Sequence, residues 1–119
     1  LRPCPHSPNC VSSVAIDRGH YIDPLRFVDP PAKEMQRLKR LIGNMRGARI
    51  LHADEHYLRA EFRSKVFGFV DDVEFAWDES ARICQVRSAS RTGYYDFGKN
   101  RGRIEKIRRQ LAGYRDASA

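Results

Sequence analysis

Two hydrophobic periods divide the chain. Between residues 49 and 91 apolar and polar positions alternate, as in strands with one buried face. The alternation predicts strands over 49–53, 57–66, 69–77 and 83–91. In the second, Leu58, Ala60, Phe62, Ser64 and Val66 alternate with Tyr57, Arg59, Glu61, Arg63 and Lys65. In the third, Asp71, Val73, Phe75 and Trp77 share one face. In the fourth, Cys84, Val86, Ser88 and Ser90 oppose Ile83, Gln85, Arg87, Ala89 and Arg91. The connections, 54–56 among them, are too short for parallel crossovers, so the strands form an antiparallel meander.

Outside this region apolar residues recur at three and four. Met35, Leu38, Leu41 and Ile42 predict a helix over 31–44, with Asp29 as its cap, proline at an early position, and Gly43 and Asn44 as its stop. Ile104, Ile107 and Leu111 predict a second helix, from Gly98 or Asn100 to about residue 111, followed by a fraying tail at 115–119. A short strand at 20–22 and an extended piece at Leu25, Phe27 and Val28 precede the first helix. The expected fold is α+β: an antiparallel sheet of about four to five strands with two amphipathic helices packed on one face. One domain, 1–119, is expected, with a cysteine-containing N-terminal loop at 1–19 and an α+β core at 20–114.

Charge changes the picture more than size does. Lys and Arg total 22 against 15 for Asp and Glu, a formal charge of +7, which favours anionic partners without identifying them. Many of these cations are expected to form a solvated face of the helices. No apolar run approaches the roughly 20 residues of a membrane-spanning helix. Leu1 stands where an initiator Met is expected, so a processed or trimmed product is expected, and a membrane anchor upstream fits.

Cys4 and Cys10 bracket a proline-rich loop that also holds His6. A small disulfide ring is the favoured reading. A Cys2His2 metal clip with His6 and His20, or two free thiols, are the alternatives. Cys84 is expected to pack as a small apolar residue.

The densest candidate chemistry runs from residue 86 to residue 103. Arg87, Arg91, Arg101 and Arg103 lie close to Ser88, Ser90, Asn100 and the turn glycines Gly93 and Gly98, a donor set suited to an anion. With strand order following chain order, Arg63 joins Arg87, Arg91 and Arg101, while Asp71 and Asp72 orient the guanidinium groups. A purely structural explanation competes: Glu61, Arg63, Asp72, Glu74 and Arg87 can form a charged ladder across the sheet. Phe67 and Phe69, around Gly68, are expected to pack beneath the helices rather than grip a ligand.

Asp71 and Asp72 point to opposite faces, so no shared metal is expected, and nothing calls for a cofactor. Asp96 suits a turn better than a general base. Walker, G-x-S-x-G, H-E-x-x-H and dinucleotide fingerprints are missing. The reading is a domain binding an anionic small molecule or an envelope protein. An enzyme acting on a small anionic substrate, with Asp71, Asp72 or Asp96 as acid or base, is the alternative. Nucleic acid is the least favoured partner, because Tyr94, Tyr95 and Phe97 form the sole aromatic cluster resembling a stacking platform.

The ordered segments Cys4-Pro5-His6-Ser7-Pro8-Asn9-Cys10-Val11-Ser12-Ser13, Glu61-Phe62-Arg63-Ser64 with Phe67 to Phe75, and Val86 to Arg91 through Asn100-Arg101 and Ile104-Glu105 resemble the family called domain of unknown function 1499. The resemblance covers nearly the whole chain. Members occur in bacteria and plastid-bearing organisms, often after a signal peptide, lipoprotein signal or membrane segment. An exported or membrane-associated domain of the periplasm or envelope is therefore implied, while no activity, catalytic residue or cofactor is.

Overall fold

Strands β1 (Cys10–Ser12) and β2 (Leu25–Arg26) precede helix α1 (Pro31–Gly43). Then come β3 (Ala48–Ala53), β4 (Tyr57–Arg63), β5 (Val70–Asp78), β6 (Ile83–Ser90) and helix α2 (Lys99–Ser118). The computed structural model describes residues 1–118, with side chains through residue 115. Strands β3 to β6 form the antiparallel meander that their short turns require, and β1 and β2 add to the outer edge of β6.

Register places apolar side chains in rows. Leu58, Phe75 and Val86 lie side by side, as do Ala60, Val73 and Ser88, on the face that both helices cover. Met35, Leu38, Leu41 and Ile42 from α1, with Ile104, Ile107 and Leu111 from α2, close over those rows in one buried cluster. The last row on this face is Phe62, Asp71 and Ser90, so alternation carries a carboxylate and a hydroxyl into the layer under α2.

Four local expectations are corrected. Strand β4 stops at Arg63, three residues early, because Ser64 turns the chain: its amide donates to the Phe69 carbonyl at 2.8 Å and its hydroxyl accepts the Phe69 amide at 2.9 Å. Residues 20–22 make only an isolated bridge between Ser12 and Tyr21 rather than a strand. Asp29 does not cap α1. Pro30 occupies that position, and Glu34 reaches back to accept the Val28 amide at 2.9 Å, while Asp29 accepts from Arg37 at 2.6 Å.

The expected fraying at 115–119 is likewise not found over the described part, since α2 continues to Ser118. Its last turns are held by Arg115, whose Nε donates to the fully buried Glu34 at 2.8 Å and whose Nη2 donates to the Arg26 carbonyl at 2.9 Å. Ala119 lies outside the described residues.

Cys4 and Cys10 are disulfide-bonded, which removes both the metal clip and the free-thiol alternative. His20 is engaged instead with Asp17 at 2.6 Å and with the Ser7 carbonyl at 2.8 Å. Cys84 is buried and free, and burial pushes its thiol up to about 12, which leaves it unreactive at neutral pH. Among the described residues no helix is long and apolar enough to cross a membrane.

Candidate functional site

Strand parity divides the residues singled out in the sequence. Asp72, Arg87 and Arg91 lie on the face of the sheet away from the helices, whereas Asp71, Ser88 and Ser90 lie beneath α2. The nine side chains therefore do not meet at one spot, because a strand sends successive residues to opposite sides.

On the outer face Arg91 and Arg87 already have partners. Arg91 grips Asp72 with two hydrogen bonds of 2.8 Å and lies 3.2 Å from Glu61. Arg87 is buried beneath the N-terminal segment, where its Nη2 donates to the Pro3 carbonyl at 3.3 Å. Its Nη1 lies 3.9 Å from Glu74, and its Nε has no partner. Burial, and then the nearby Arg2, push the Arg87 pKa down, as expected of a cation held where charge is poorly solvated. Tyr57 donates to Glu74 at 2.5 Å. The shallow cleft here, about 410 Å³, sets Arg2, Arg59 and Arg91 against Asp72 and Glu74.

Beneath α2 the polar residues form a continuous network. Ser88 Oγ donates to Asn100 Oδ1 at 2.6 Å, and Asn100 Nδ2 donates to Ser90 Oγ at 3.0 Å and to the Asn9 carbonyl at 3.2 Å. Arg103 crosses this network, reaching Asn100 Oδ1 at 2.9 Å, Ser88 Oγ at 3.1 Å and Asp71 Oδ2 at 2.7 Å. Its guanidinium lies 4.6 Å from the centre of the Phe62 ring. Lys99 Nζ approaches the same Asp71 oxygen at 3.1 Å. Asp71 Oδ1 is buried and accepts no hydrogen bond.

Asp96 accepts the Gly98 amide at 2.9 Å and the Asn100 side chain at 2.8 Å. Burial raises its pKa, but these hydrogen bonds outweigh burial and hold the group below its ordinary value, as suits a turn former rather than a base. Arg101 stands apart and donates to the Gly19 carbonyl at 3.2 Å.

At the edge of this network Lys99 and Arg103 face a larger cleft, of about 620 Å³, between the end of α1 and the exposed side of α2. Arg46, Lys99, Arg103 and Lys106 line it together with Phe62 and Tyr114, and among the described residues no Asp or Glu does. A recess of about 230 Å³ joins it at the end of β4, adding Arg63 and Lys65, with Asp71 as the one carboxylate. The side chains of Arg46, Lys65 and Lys106 make no hydrogen bond or ion pair among the described residues.

Gly47 fixes the corner. At φ 78° its carbonyl accepts the Arg63 amide at 2.9 Å, and a Cβ there would come within 2.5 Å of the Arg63 carbonyl oxygen. Of the nine residues singled out in the sequence, Arg63 and Asp71 reach the recess, while Arg46, Lys65, Lys99 and Lys106 were missed. One signal was available: Lys99, Arg103 and Lys106 recur at four and three, a basic stripe on one face of α2.

Such a cleft presents two cations without a counter-charge among the described residues, Arg46 and Lys106, beside Lys99 and Arg103, which share Asp71, and has an apolar floor that excludes water from one side. In comparisons with curated proteins and with solved structures, the chain matches none. A family model does match, over residues 1–111, and the chain thus belongs to the family described as protein of unknown function, DUF1499.

Proposed function

We propose that this chain is a binding domain that holds an anionic ligand, with phosphate or carboxylate groups, in the cleft beside α2. The observation that carries this reading is the excess of positive charge there: among the described residues four cations and no carboxylate line the larger volume, and while Lys99 and Arg103 share Asp71 behind it, Arg46 and Lys106 have no acidic partner. Arg103, fixed by Asp71, Ser88 and Asn100, offers a preorganised guanidinium, and Arg46 and Lys106 close around the ligand from either side. Ser88, Ser90 and Asn100 thereby act as supports for Arg103, and Asp71 orients it. Arg87, Arg91 and Arg101, committed elsewhere, take no part.

The single unit 1–119 and a location outside the cytoplasm belong to the same proposal. The Cys4–Cys10 bond supports the location, since such bonds persist in oxidising compartments. Calorimetric titration with pyrophosphate tests the binding. The chain binds it, more weakly as salt rises, and the double variant Arg46→Ala, Lys106→Ala loses about tenfold or more in affinity. Undetectable binding, or a variant indistinguishable from the parent, overturns the reading.

A further inference from the structure

The sheet has two ends of opposite character. One carries the turns after β3 and β5, with Asp54, Glu55, Asp78 and Glu79 beside the single arginine Arg82. At the other end the 64–69 hairpin and the 91–98 loop stand side by side, because the Arg91 amide donates to the Val70 carbonyl at 3.0 Å. Six large apolar residues are exposed there: Val66 (81%), Phe67 (75%), Phe69, Tyr94, Tyr95 and Phe97 (99%). The expected packing of Phe67 and Phe69 beneath the helices is thus not what the fold does. The two rings stack on each other at 5.5 Å, and Tyr94 meets Tyr95 edge-on at 4.9 Å. Phe97 is held outward at φ 55°, a conformation rare for a bulky side chain.

This end is also electrically unbalanced. Arg63, which donates to the Gly68 carbonyl at 3.1 Å, and Lys65 and Lys99 flank the ring-bearing segments in the chain, and Arg46 lines one recess with all three. The nearby carboxylates are occupied: Asp71 by Arg103 and Lys99, Asp72 and Glu61 by Arg91, and Asp96 by amide groups. Aromatic rings flanked by an excess of cations match an anionic bilayer surface, where rings settle at the headgroup level and cations meet lipid phosphates. We propose that the chain docks on anionic membranes through this end, inserting Phe67, Phe69 and Phe97. The inference rests on the anion-binding reading for part of its charge, since Lys65 and Lys99 also line the cleft and its recess. Single-stranded nucleic acid fits less well, because Val66 offers no stacking face and four of the five rings are already engaged with one another.

Co-sedimentation with vesicles of phosphatidylglycerol and phosphatidylcholine in equal parts tests the docking, with pyrophosphate titration of the same samples as the second arm. The chain sediments with these vesicles and not with phosphatidylcholine alone. The variant Phe67→Ala, Phe97→Ala sediments about tenfold less well while its melting and its pyrophosphate affinity stay unchanged. Unaltered sedimentation of that variant overturns the proposal, as does tighter, ring-dependent binding of a single-stranded oligonucleotide. Pyrophosphate binding without vesicle binding sinks the docking and leaves the cleft standing. Ring-dependent vesicle binding without pyrophosphate binding upholds the docking and removes the cleft as an anion site.

Discussion

Asp71 and Asp72 are neighbours in the chain and inhabit different environments. Asp71, 1% exposed, faces α2 and anchors Arg103 and Lys99 in a volume otherwise free of acids. Asp72 faces the other way, into a shallow cleft where three arginines meet two carboxylates. The same residue types therefore do different things on the two sides of one sheet. On the outer side, opposite charges neutralise one another and leave little for a ligand. On the helix side, Asp71 is the one carboxylate at the cleft and its recess among the described residues and is shared by Arg103 and Lys99, so Arg46, Lys65 and Lys106 lack a counter-charge. Local balance of charge, rather than the number of arginines, separates a structural ladder from a candidate site.

The largest test removes the carboxylate that organises the helix side. Asp71→Ala leaves Arg103, whose side chain is only 11% exposed, without its charged partner. Breaking a buried pair from one side costs about 3 kcal/mol or more, so urea denaturation shows a loss of that order. A loss below about 1 kcal/mol, as expected of a surface pair, would erase the distinction between the two faces.

Charge reversal probes the same contrast through binding. Lys106 and Arg59 both lack partners among the described residues, but Lys106 lines the acid-free cleft and Arg59 the balanced one. Lys106→Glu lowers pyrophosphate affinity by about tenfold or more, and Arg59→Glu leaves it within about twofold. Equal losses would mean that the anion responds only to net charge.

This contrast was partly legible in the sequence. Alternation along β4, β5 and β6 predicts the meander and assigns Ser88 and Ser90 to one face and Arg87 and Arg91 to the other, and this period of two separates four residues that their closeness in the chain groups into a single cluster. Other features had no local signal. Strand β1 is three residues within a loop-like opening, and it forms because Val11 pairs beside Ser88 at the sheet edge. Helix α2 runs past Leu111, its last buried apolar residue among those described, and Arg115 there reaches Glu34 on α1, a contact between residues far apart in the chain. Arg46 joins Lys106 across the cleft only once the two helices pack together.

A pH experiment sharpens the account of the outer face. Burial first, and then the hydrogen bond to Glu74, push the Tyr57 phenol up to about 12. Because its folded pKa exceeds the ordinary value of 10, the folded state retains a proton that the unfolded state has released. Its stabilising contribution is therefore complete below pH 10 and is lost as pH rises toward 12. Stability measured across that window falls in the parent, and Tyr57→Phe removes this component of the slope. An unchanged slope would mean that Tyr57 is as well hydrated as a free phenol, and that the outer cleft is open water.

The smallest effect concerns the pair that best represents the outer face. Arg91 and Asp72 are joined by two near-parallel hydrogen bonds of 2.8 Å, geometry that favours the upper part of the range for such pairs. Arg91 is nonetheless exposed, 47% for its side chain, so water and salt compete for both groups. A double-mutant cycle with Arg91→Ala and Asp72→Ala gives a coupling of about 0.5–1 kcal/mol, which shrinks as ionic strength rises. Coupling of about 3 kcal/mol, insensitive to salt, would put this pair on a level with Asp71 and Arg103. Charge balance would then no longer distinguish the faces, and Arg91 would be no more dispensable to the domain than Arg103.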